Sequence, residues 1–348
     1  MSLALPRPPF ASVVLALLVL LALVIVVAIG AGSVPIPPLR VVRLLVASMG
    51  EPWSGPDADA ELVILMALRV PRVLVAAMVG AALAVSGAQM QGLFQNPMAS
   101  PDVIGTSAGA ALGAVLAFVF GLASAHMAWV PVLACLGAAL SLAAIYGLTT
   151  RRGRTPVAML LLAGVALNSL LSAATSFVIS LSWVRYEVAQ EVVFWLMGGL
   201  DDRTWTHVWM AAPLVAIGLA AAIALARDLD LFTTGEEAAA TLGVDVERAK
   251  QRVLAVAALL AGTAVAVCGV IGFVGLIVPH AVRLVVGPSH RRLIPTAAIA
   301  GAIFVVAADL VARVALAPIE IRLGVVTGIC GAPFFLWLLS RYRREVGA

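Results

Sequence analysis

The polar groups that could line a pathway or bind a ligand are few, and most lie inside apolar runs. One set falls within the apolar stretch 156–182 and follows spacings of four, three and one residues: Asn168, Ser172, Thr175 and Ser176. These spacings place the four side chains on one face of an α-helix. Polar groups inside a bilayer usually face a cavity or another helix. Two interpretations stay open: a polar stripe along a translocation pathway, or hydrogen bonds between packed helices.

One clear carboxylate, Asp309, also lies among apolar residues, with Arg313 four residues later. That spacing predicts a local ion pair on one helix, and the long side chain of Arg313 can extend to the membrane surface. A proton relay would need several intramembrane carboxylates or histidines. A proton-coupled secondary transporter is therefore the disfavoured alternative from a different functional class.

The chain contains no recognisable motif of an enzyme. The sequence contains no GxxxxGK[ST] phosphate loop, no HExxH and no catalytic-triad spacing. Cys135, Cys268 and Cys330 lie far apart within apolar runs, as expected for free thiols rather than for a disulfide or metal site. We expect no catalytic residue, no metal site and no cofactor bound by this chain.

The composition places these polar groups in a membrane. Hydrophobic residues make up 63% of the 348 residues, charged residues 11%, and the mean hydropathy is +1.10; soluble domains carry about 25% charged residues. The sequence therefore predicts an all-α integral membrane protein with a single transmembrane domain over 1–348. At about 20 apolar residues per span, we expect ten helices, near 11–30, 70–90, 103–120, 128–148, 156–182, 205–226, 253–271, 274–286, 293–316 and 324–340.

The apolar run 253–286 is too long for one span. Gly269, Gly272, Gly275 and Pro279 interrupt it, and such interruptions predict a helix, a bend and a half-helix.

The basic residues orient the chain. Fourteen of the 22 fall in loops and termini on one side, and basic residues favour the cytoplasm. Both termini are therefore predicted to be cytoplasmic. The net positive charge of +4 is thus explained by the orientation of the chain in the membrane, and nucleic acid is not an expected partner.

Two segments outside the spans are longer than simple connections. The outer segment, 31–68, predicts a short amphipathic helix followed by a helix leading into the second span. The cytoplasmic segment, 227–252, is the most charged window of the chain and predicts two helices separated by a glycine.

Local signals set the expected helix ends in the cytoplasmic segment. Thr233 or Thr234 is predicted to cap a helix that starts near Gly235, with acidic residues at its positive end. Gly243 is expected to end that helix, and Asp245 to cap the next one.

A polar, turn-rich stretch, "GAQMQGLFQNPMASPDVIGTSAGAALG" (87–113), separates the second and third spans. Asn96 and Pro97 mark a turn, and prolines are unfavourable inside a helix. Gly105, Gly109 and Gly113 recur every four residues, a spacing that lets helices approach closely. The stretch predicts a helix end, a tight loop and a closely packed helix.

Long stretches of the sequence resemble one protein family. "RVPRVLVAAMVGAALAVSGAQMQGLFQNPMASPDVIGTSAGAALGA" (69–114) resembles the signature of the FecCD family, the permease subunits of type II ABC importers for ferric siderophores, haem and cobalamin. The resemblance continues through "LLLAGVALNSL" (160–170), "FWLMGGLDDRTW" (194–205), "GEEAAATLGVDVERAK" (235–250), "GVIGFVGLIVPHAVRLVVGPSHRRLIP" (269–295), "ADLVAR" (308–313) and "LGVVTGICGAPFFLWLL" (323–339). It covers nearly the whole chain in order, and it is specific for the family but not for the substrate.

The resemblance implies ten helices per subunit in a type II importer permease fold, a homodimer in the lipid bilayer, and a pathway at the two-fold axis. It further implies two ATP-binding cassette subunits, which use ATP and Mg²⁺, and a periplasmic substrate-binding protein. The ATPase-coupling element matches Glu236, Glu237, Ala240, Leu242, Gly243 and Val244. Arg69, Arg72 and Arg313 match arginines that dock the binding protein, and Gln91, Asn96 and Pro97 belong to the family's signature turn.

The resemblance also bears on the pathway and its gate. The stripe at Asn168 falls on the helix similar to the family's main cavity-lining helix. Val157 and Ala158 match the cytoplasmic gate, where cobalamin permeases have a Thr-Ser pair. The departure suggests a more apolar constriction and disfavours cobalamin.

The sequence thus predicts a permease in the inner membrane of a bacterium. We expect it to move an iron complex, haem or a ferric siderophore, by alternating access while its partners hydrolyse ATP. The alternative within the family is cobalamin import.

Overall fold

The computed structural model describes residues 9–32, 34–48, 60–151, 153–182 and 186–346. Part of the outer segment, 49–59, and three arginines counted for the orientation, Arg7, Arg152 and Arg185, lie outside the described residues. Sixteen α-helices occur in the described ranges: α1 (Phe10–Gly30), α2 (Pro38–Ala47), α3 (Ala60–Ile64), α4 (Val70–Leu93), α5 (Thr106–Val119), α6 (Leu122–Ala125), α7 (Trp129–Thr149), α8 (Val157–Ser182), α9 (Tyr186–Leu196), α10 (Trp205–Ala224), α11 (Ala226–Phe232), α12 (Glu236–Thr241), α13 (Val246–Cys268), α14 (Val274–Val286), α15 (His290–Val314) and α16 (Leu323–Val346).

Ten of the described helices are apolar enough to lie in a bilayer. Seven helical stretches are long enough to cross it alone, with α3, the π-turn Leu65–Arg69 and α4 forming one of them. Three more are shorter apolar helices: α5, α14 and the part of α16 up to Trp337. Together they occupy the ten predicted positions, which confirms an all-α membrane protein with about ten helices.

Helix α4 is the centre of the molecule. Twenty of its 24 residues are buried, and it packs against α15, α13, α14 and α10. Glycines allow these close approaches: a Cβ on Gly80 would lie 2.0 Å from the Gly301 carbonyl oxygen, and one on Gly87 only 1.8 Å from that of Gly275. Small residues at helix crossings are a common device in membranes.

Helices α5 and α7 cross in the same way. A Cβ on Gly109 would lie 2.4 Å from the Gly137 oxygen, and one on Gly113 2.0 Å from the Leu133 oxygen. This confirms the close packing predicted from the glycine spacing. Gly105 has a different function. With a φ of +69° it adopts the left-handed conformation of the turn before α5.

The long apolar run 253–286 is divided as predicted. Helix α13 ends at Cys268, Gly269 has a φ of +73°, and α14 begins at Val274 after Phe273 with a φ of +69°. A Cβ on Gly269 would lie 2.1 Å from the Trp195 oxygen. Backbone conformation and crowding therefore both require glycine at this bend.

One local prediction was wrong. The hydroxyls of Thr233 and Thr234 do not cap α12; they donate to the carbonyl oxygens of Asp230 and Leu231 in the preceding helix α11. Gly235 precedes α12 instead, with no side-chain cap. Helix α9 was also not predicted, because its charged and aromatic residues mask its apolar face.

Candidate functional site

The cytoplasmic segment folds into three helices rather than the predicted two: Gly243 separates α12 from the start of α13 as expected, and α11 precedes them. Gly235 and Gly243, with φ of +100° and +86°, stand on either side of α12. Gly243 ends α12, and the carboxylate of Asp245 accepts the amide of Arg248 at the start of α13, as predicted. The left-handed glycines let α12 turn back sharply at both ends.

Most of the predicted coupling residues form one exposed surface on and after α12. Glu236, Glu237, Ala240 and Gly243 are exposed, and Leu242 keeps 60% of its surface accessible. Val244 is half-buried and packs against the core. Leu242 thus places a large apolar side chain on this surface.

Behind this surface lies a buried ion cluster. The ammonium group of Lys250, on α13, is 2.7 Å from Glu236 Oε2 and 3.2 Å from Glu247 Oε1, and it donates to the Thr155 carbonyl oxygen at 3.0 Å. Glu247 Oε2 accepts the amide of Thr155 at 3.0 Å. We call Glu236, Glu247, Lys250 and Thr155 the cytoplasmic cluster.

Thr155 fixes the beginning of α8. It lies two residues before Val157, the first residue of that helix. Its loop is closed by paired backbone hydrogen bonds between Arg151 and Arg154 at 3.0 and 3.1 Å. Val157 is half-buried, while Ala158 is exposed. The two predicted gate residues thus lie beside the cytoplasmic cluster.

Helix α8 carries the predicted polar stripe at the edge of the molecule. Ser172 and Ser176 are exposed, Asn168 is half-buried, and Thr175 is buried with its hydroxyl bonded to the Leu171 oxygen of its own helix. Only four of the 26 residues of α8 are buried. The stripe therefore runs along the border between a packed face and a wide open face.

Gln91 of the signature turn is a buried connector. Its amide donates to the Leu276 oxygen of α14 at 3.0 Å and its oxygen lies 3.4 Å from Arg283 Nη2. Gln89, fully buried on the same helix, has no hydrogen-bond partner for either amide atom within the described structure. Gln91 thus joins α4 to the half-helix α14.

Asn96 and Pro97 form the turn itself. The Asn96 side-chain oxygen accepts the amide of Met98 at 2.9 Å, which closes an Asx turn around Pro97. This local bond accounts for asparagine at that position.

Two of the predicted docking arginines, Arg69 and Arg313, donate hydrogen bonds to backbone carbonyl oxygens. Both cap the C-terminal end of α1, whose last carbonyls lack helical partners. Arg69 donates to the oxygens of Ile29, Gly30 and Val34 at 3.0, 3.0 and 2.5 Å, and Arg313 to those of Ala28 and Ala31 at 2.9 and 3.0 Å.

Arg72, the third, lies in an ion cluster with Asp309. Asp309 Oδ1 is 2.9 Å from Arg72 Nη2, and Asp309 Oδ2 is 3.0 Å from Arg313 Nε, so the predicted local pair exists and has a second arginine. Arg72 also lies 2.9 Å from Glu320 and 3.6 Å from Asp201. We call these five residues the outer cluster.

Two carboxylates of the outer cluster, Asp201 and Glu320, lie in loops outside the helices, and each shifts the pKa of the other. Burial and a hydrogen bond with Asp201 raise the pKa of Glu320. Burial also acts to raise the pKa of Asp201, but the hydrogen bond from Glu320 and the charges of Arg72 and Arg322 outweigh it, so that pKa is lowered. The pKa values of the two carboxyl groups are thus shifted in opposite directions.

The outer arginines line a cavity of about 650 Å³ between the end of α1 and the loops around Asp202 and Glu320. Arg69, Arg72, Arg203 and Arg313 contribute four guanidinium groups to its wall. Within the described residues, no three His, Cys, Asp or Glu side chains are grouped to hold a metal ion.

The sequence did not predict the contacts of Lys250. Glu247 lies three residues away on the same helix, a spacing that signals a pair, but Thr155 is 95 positions distant. Asp201 and Glu320 were missed because both lie in loops with no periodic signal.

The fold and these sites define a class: a multi-pass helical membrane permease with a short exposed helix, α12, outside its spans. A family model, the FecCD transport family, matches residues 19–341. The chain belongs to this family, whose members are permease subunits of type II ABC importers, in which partner subunits carry the ATPase activity.

The relatives give the same class with different substrates in their names. The chain is 45% identical to the cobalamin import permease BtuC of Halobacterium salinarum over 318 residues, 91% of this chain and 82% of the relative. It is 40% identical to the hemin transport permease HmuU of Yersinia pestis (84% and 88% covered) and 40% identical to the Fe(3+) dicitrate permease FecD of Escherichia coli (80% and 86% covered).

A solved structure, described as an inward-facing conformation of a transporter of the metal-chelate ABC type, superposes with a TM-score of 0.82. It is 29% identical and covers 95% of this chain and 99% of its own. The fold is therefore that of an ABC importer permease.

Proposed function

We propose that this chain moves a metal chelate into the cytoplasm by alternating access, driven by ATP hydrolysis in partner subunits. The observation that carries the proposal is α12, a short helix held out at the cytoplasmic surface between two left-handed glycines with Leu242 exposed. A partner ATPase that moves α12 would displace the neighbouring helix ends, including the start of α8. Glu236, Glu237, Ala240, Leu242, Gly243 and Val244 are proposed to form this contact.

The open face of α8 supports a pathway between two copies of the chain. In a homodimer with α8 near the two-fold axis, Ser172 and Ser176 would face the partner's α8 across the pathway, and Val157 and Ala158 would narrow its cytoplasmic end. The few charges on this face suit a large substrate that must be released.

The outer cavity supports docking of an acidic binding protein. Its four guanidinium groups would attract carboxylates, and such pairs mainly steer and orient docking. Arg69 and Arg313 already hold α1 and Arg72 pairs with Asp309 and Glu320, so all three would attract the binding protein by their charge while keeping their present partners. With this side outward, both termini are cytoplasmic in the inner membrane.

An iron complex, haem or a ferric siderophore, is the proposed substrate, because Val157 and Ala158 make an apolar gate. Cobalamin is the second candidate, and the 45% identity to an archaeal cobalamin permease favours it. The test is uptake into proteoliposomes that contain the permease with its ATPase and binding protein. Haem, ferric citrate, ferric hydroxamate and cobalamin are offered in parallel, with and without ATP and with an uncoupler.

We expect ATP-dependent uptake of one iron chelate that is insensitive to the uncoupler. Uptake of cobalamin alone would correct the substrate and keep the mechanism. Uptake that continues without ATP and collapses with the uncoupler would overturn the proposal in favour of a proton-coupled transporter.

A further inference from the structure

Lys250 is the only lysine of the chain, and it is almost completely buried, with 1% of its surface exposed. Lysine is very seldom buried unless it is paired, because transfer of an ammonium group out of water is costly. Its position on the first turns of α13 places it directly between α12 and the loop that leads into α8. A buried charge at a junction of three segments calls for an explanation beyond helix stability.

All three protons of the ammonium group have an acceptor, and each acceptor lies on a different segment. Glu247 Oε1, at 3.2 Å, belongs to the same helix, Glu236 Oε2, at 2.7 Å, to α12, and the Thr155 oxygen, at 3.0 Å, to the loop before α8. An ammonium group is a compact charge with three donors, so one lysine satisfies all three segments.

Thr155 is held from both sides of its backbone. Its oxygen accepts from Lys250 while its amide donates to Glu247 at 3.0 Å, and its side-chain oxygen lies 2.9 Å from that of Thr150. Thr155 is itself 1% exposed. Two hydrogen bonds to α13 thus hold the loop before α8 at the residue two positions before that helix begins.

The contact with Glu236 differs from the other two in being easily released. The Glu236 side chain is 45% exposed, compared with 25% for Glu247. If α12 moves away, water can solvate the Glu236 carboxylate, while Lys250 keeps Glu247 and Thr155. Neither charge is then left buried without a partner, which is the expensive outcome.

We propose that Lys250 is a positioning residue that transmits displacement of α12 to the cytoplasmic end of α8 as long as its bond to Glu236 holds, and that release of Glu236 uncouples α12 while the Glu247–Thr155 contacts remain. This inference rests on the proposed function, because it gives the force on α12 a route to the gate. The bond to Glu236, 14 positions earlier in the chain, is the one that joins α13 to α12.

The first measurement needs no partner and no substrate. Spin labels are placed at Thr241 and Arg154, both exposed, in a chain without its native cysteines, and the distance distribution between them is measured in lipid nanodiscs. We expect Lys250→Met to at least double the width of the distribution, because α12 loses its link to the loop. Lys250→Arg should restore a narrow distribution.

Arg248→Met is the matched control. Arg248 lies on the same helix and pairs with Asp245 at 3.1 Å, but both side chains are mostly exposed and within one helix turn. The distribution should stay at the width of the unchanged chain. An unbroadened distribution in Lys250→Met would overturn the proposal.

The second measurement is the amount of chelate transported per ATP hydrolysed by the reconstituted complex. We expect this ratio to fall about tenfold in Lys250→Met, a size typical of lost energetic coupling, and to recover largely in Lys250→Arg. A broadened distribution with an unchanged ratio would also overturn the proposal, since Lys250 would then only hold the fold. If the unchanged complex transports none of the four chelates, the proposed function fails; if it transports and Lys250→Met matches it, only this inference fails.

Discussion

The outer and cytoplasmic clusters are ion-pair networks of opposite construction. In the outer cluster a buried carboxylate, Asp309 at 1% exposure, lies between the arginines Arg72 and Arg313, which are also mostly buried. In the cytoplasmic cluster the buried group is a single cation, Lys250, and its two carboxylates reach water. The number of buried charges differs, and so does the cost of separating them.

That difference indicates which end of the molecule is fixed and which can move. Separation of the outer cluster would leave at least two charges without partners in a dry environment, so it clamps α4 to α15 and to the end of α1. Separation of Glu236 from Lys250 exposes a carboxylate whose side chain is already 45% accessible to solvent. We therefore interpret the outer cluster as a rigid clamp and the cytoplasmic cluster as a releasable joint.

The largest effect is expected for Asp309→Asn, which removes the charge between Arg72 and Arg313. Loss of one partner from a buried ion pair costs about 3–5 kcal/mol, so the unfolding temperature in detergent should fall steeply. Asp202→Asn is the control, because Asp202 is exposed and asparagine tolerates its φ of +55°. A Tm of Asp309→Asn equal to that of the control would show that the outer cluster is no clamp.

A smaller loss is expected for Arg313→Gln, which keeps the Asp309–Arg72 pair but removes the donors to Ala28 and Ala31. Bonds from a charged donor contribute about 1.5–3 kcal/mol, and the end of α1 should fray. Hydrogen exchange of the α1 C-terminal amides measures this directly. Arg43→Gln, on an exposed outer arginine, should leave exchange unchanged; equal protection in both variants would remove Arg313 from the cap.

Lys250→Met should cost less than either outer substitution, about 1–2 kcal/mol. Methionine fills a similar volume, and both carboxylates remain solvated, so the loss is that of hydrogen bonds rather than of a stranded charge. Arg248→Met should stay within about 0.5 kcal/mol, as for other exposed pairs. If Lys250→Met lowers the Tm as much as Asp309→Asn does, the contrast between clamp and joint is wrong.

The sequence predicts one pair of the outer cluster and none of the cytoplasmic cluster. The (i, i+4) spacing predicts the Asp309–Arg313 pair, because two residues of one helix suffice to make it. Arg72 reaches Asp309 only because glycines bring α4 and α15 together, and the two residues are 237 positions apart. No periodicity encodes such a contact.

The spans themselves were predictable because about 20 apolar residues leave few alternatives to a helix. The α8 stripe shows the limit: spacing put Asn168, Ser172, Thr175 and Ser176 on one face, but only packing shows that the face straddles a border. The turn into α12 was misread because Thr233 and Thr234 can bond backward to their own helix as well as forward.

The smallest effect is a pH dependence of stability. It distinguishes the exposed rim of the outer cluster, Asp201 and Glu320, from its buried centre, Arg72, Asp309 and Arg313. The pKa of Glu320 is raised above its ordinary 4.5 by burial and by its bond to Asp201. A raised carboxyl pKa contributes stability that is fully present below pH 4.5 and is lost as the pH rises through the raised value. Asp201, with a lowered pKa, contributes stability in the opposite sense: its contribution is present above pH 3.8 and is lost in stronger acid.

Because the Glu320 side chain is 42% exposed, the change in the free energy of unfolding should be below about 1 kcal/mol. Glu320→Gln keeps a donor toward Asp201 at every pH, so the Tm difference between the unchanged chain and this variant should shrink or reverse as the pH rises above 4.5. A difference that stays constant from pH 4 to 8 would mean that the rim does not titrate and that the whole outer cluster behaves as its buried centre does.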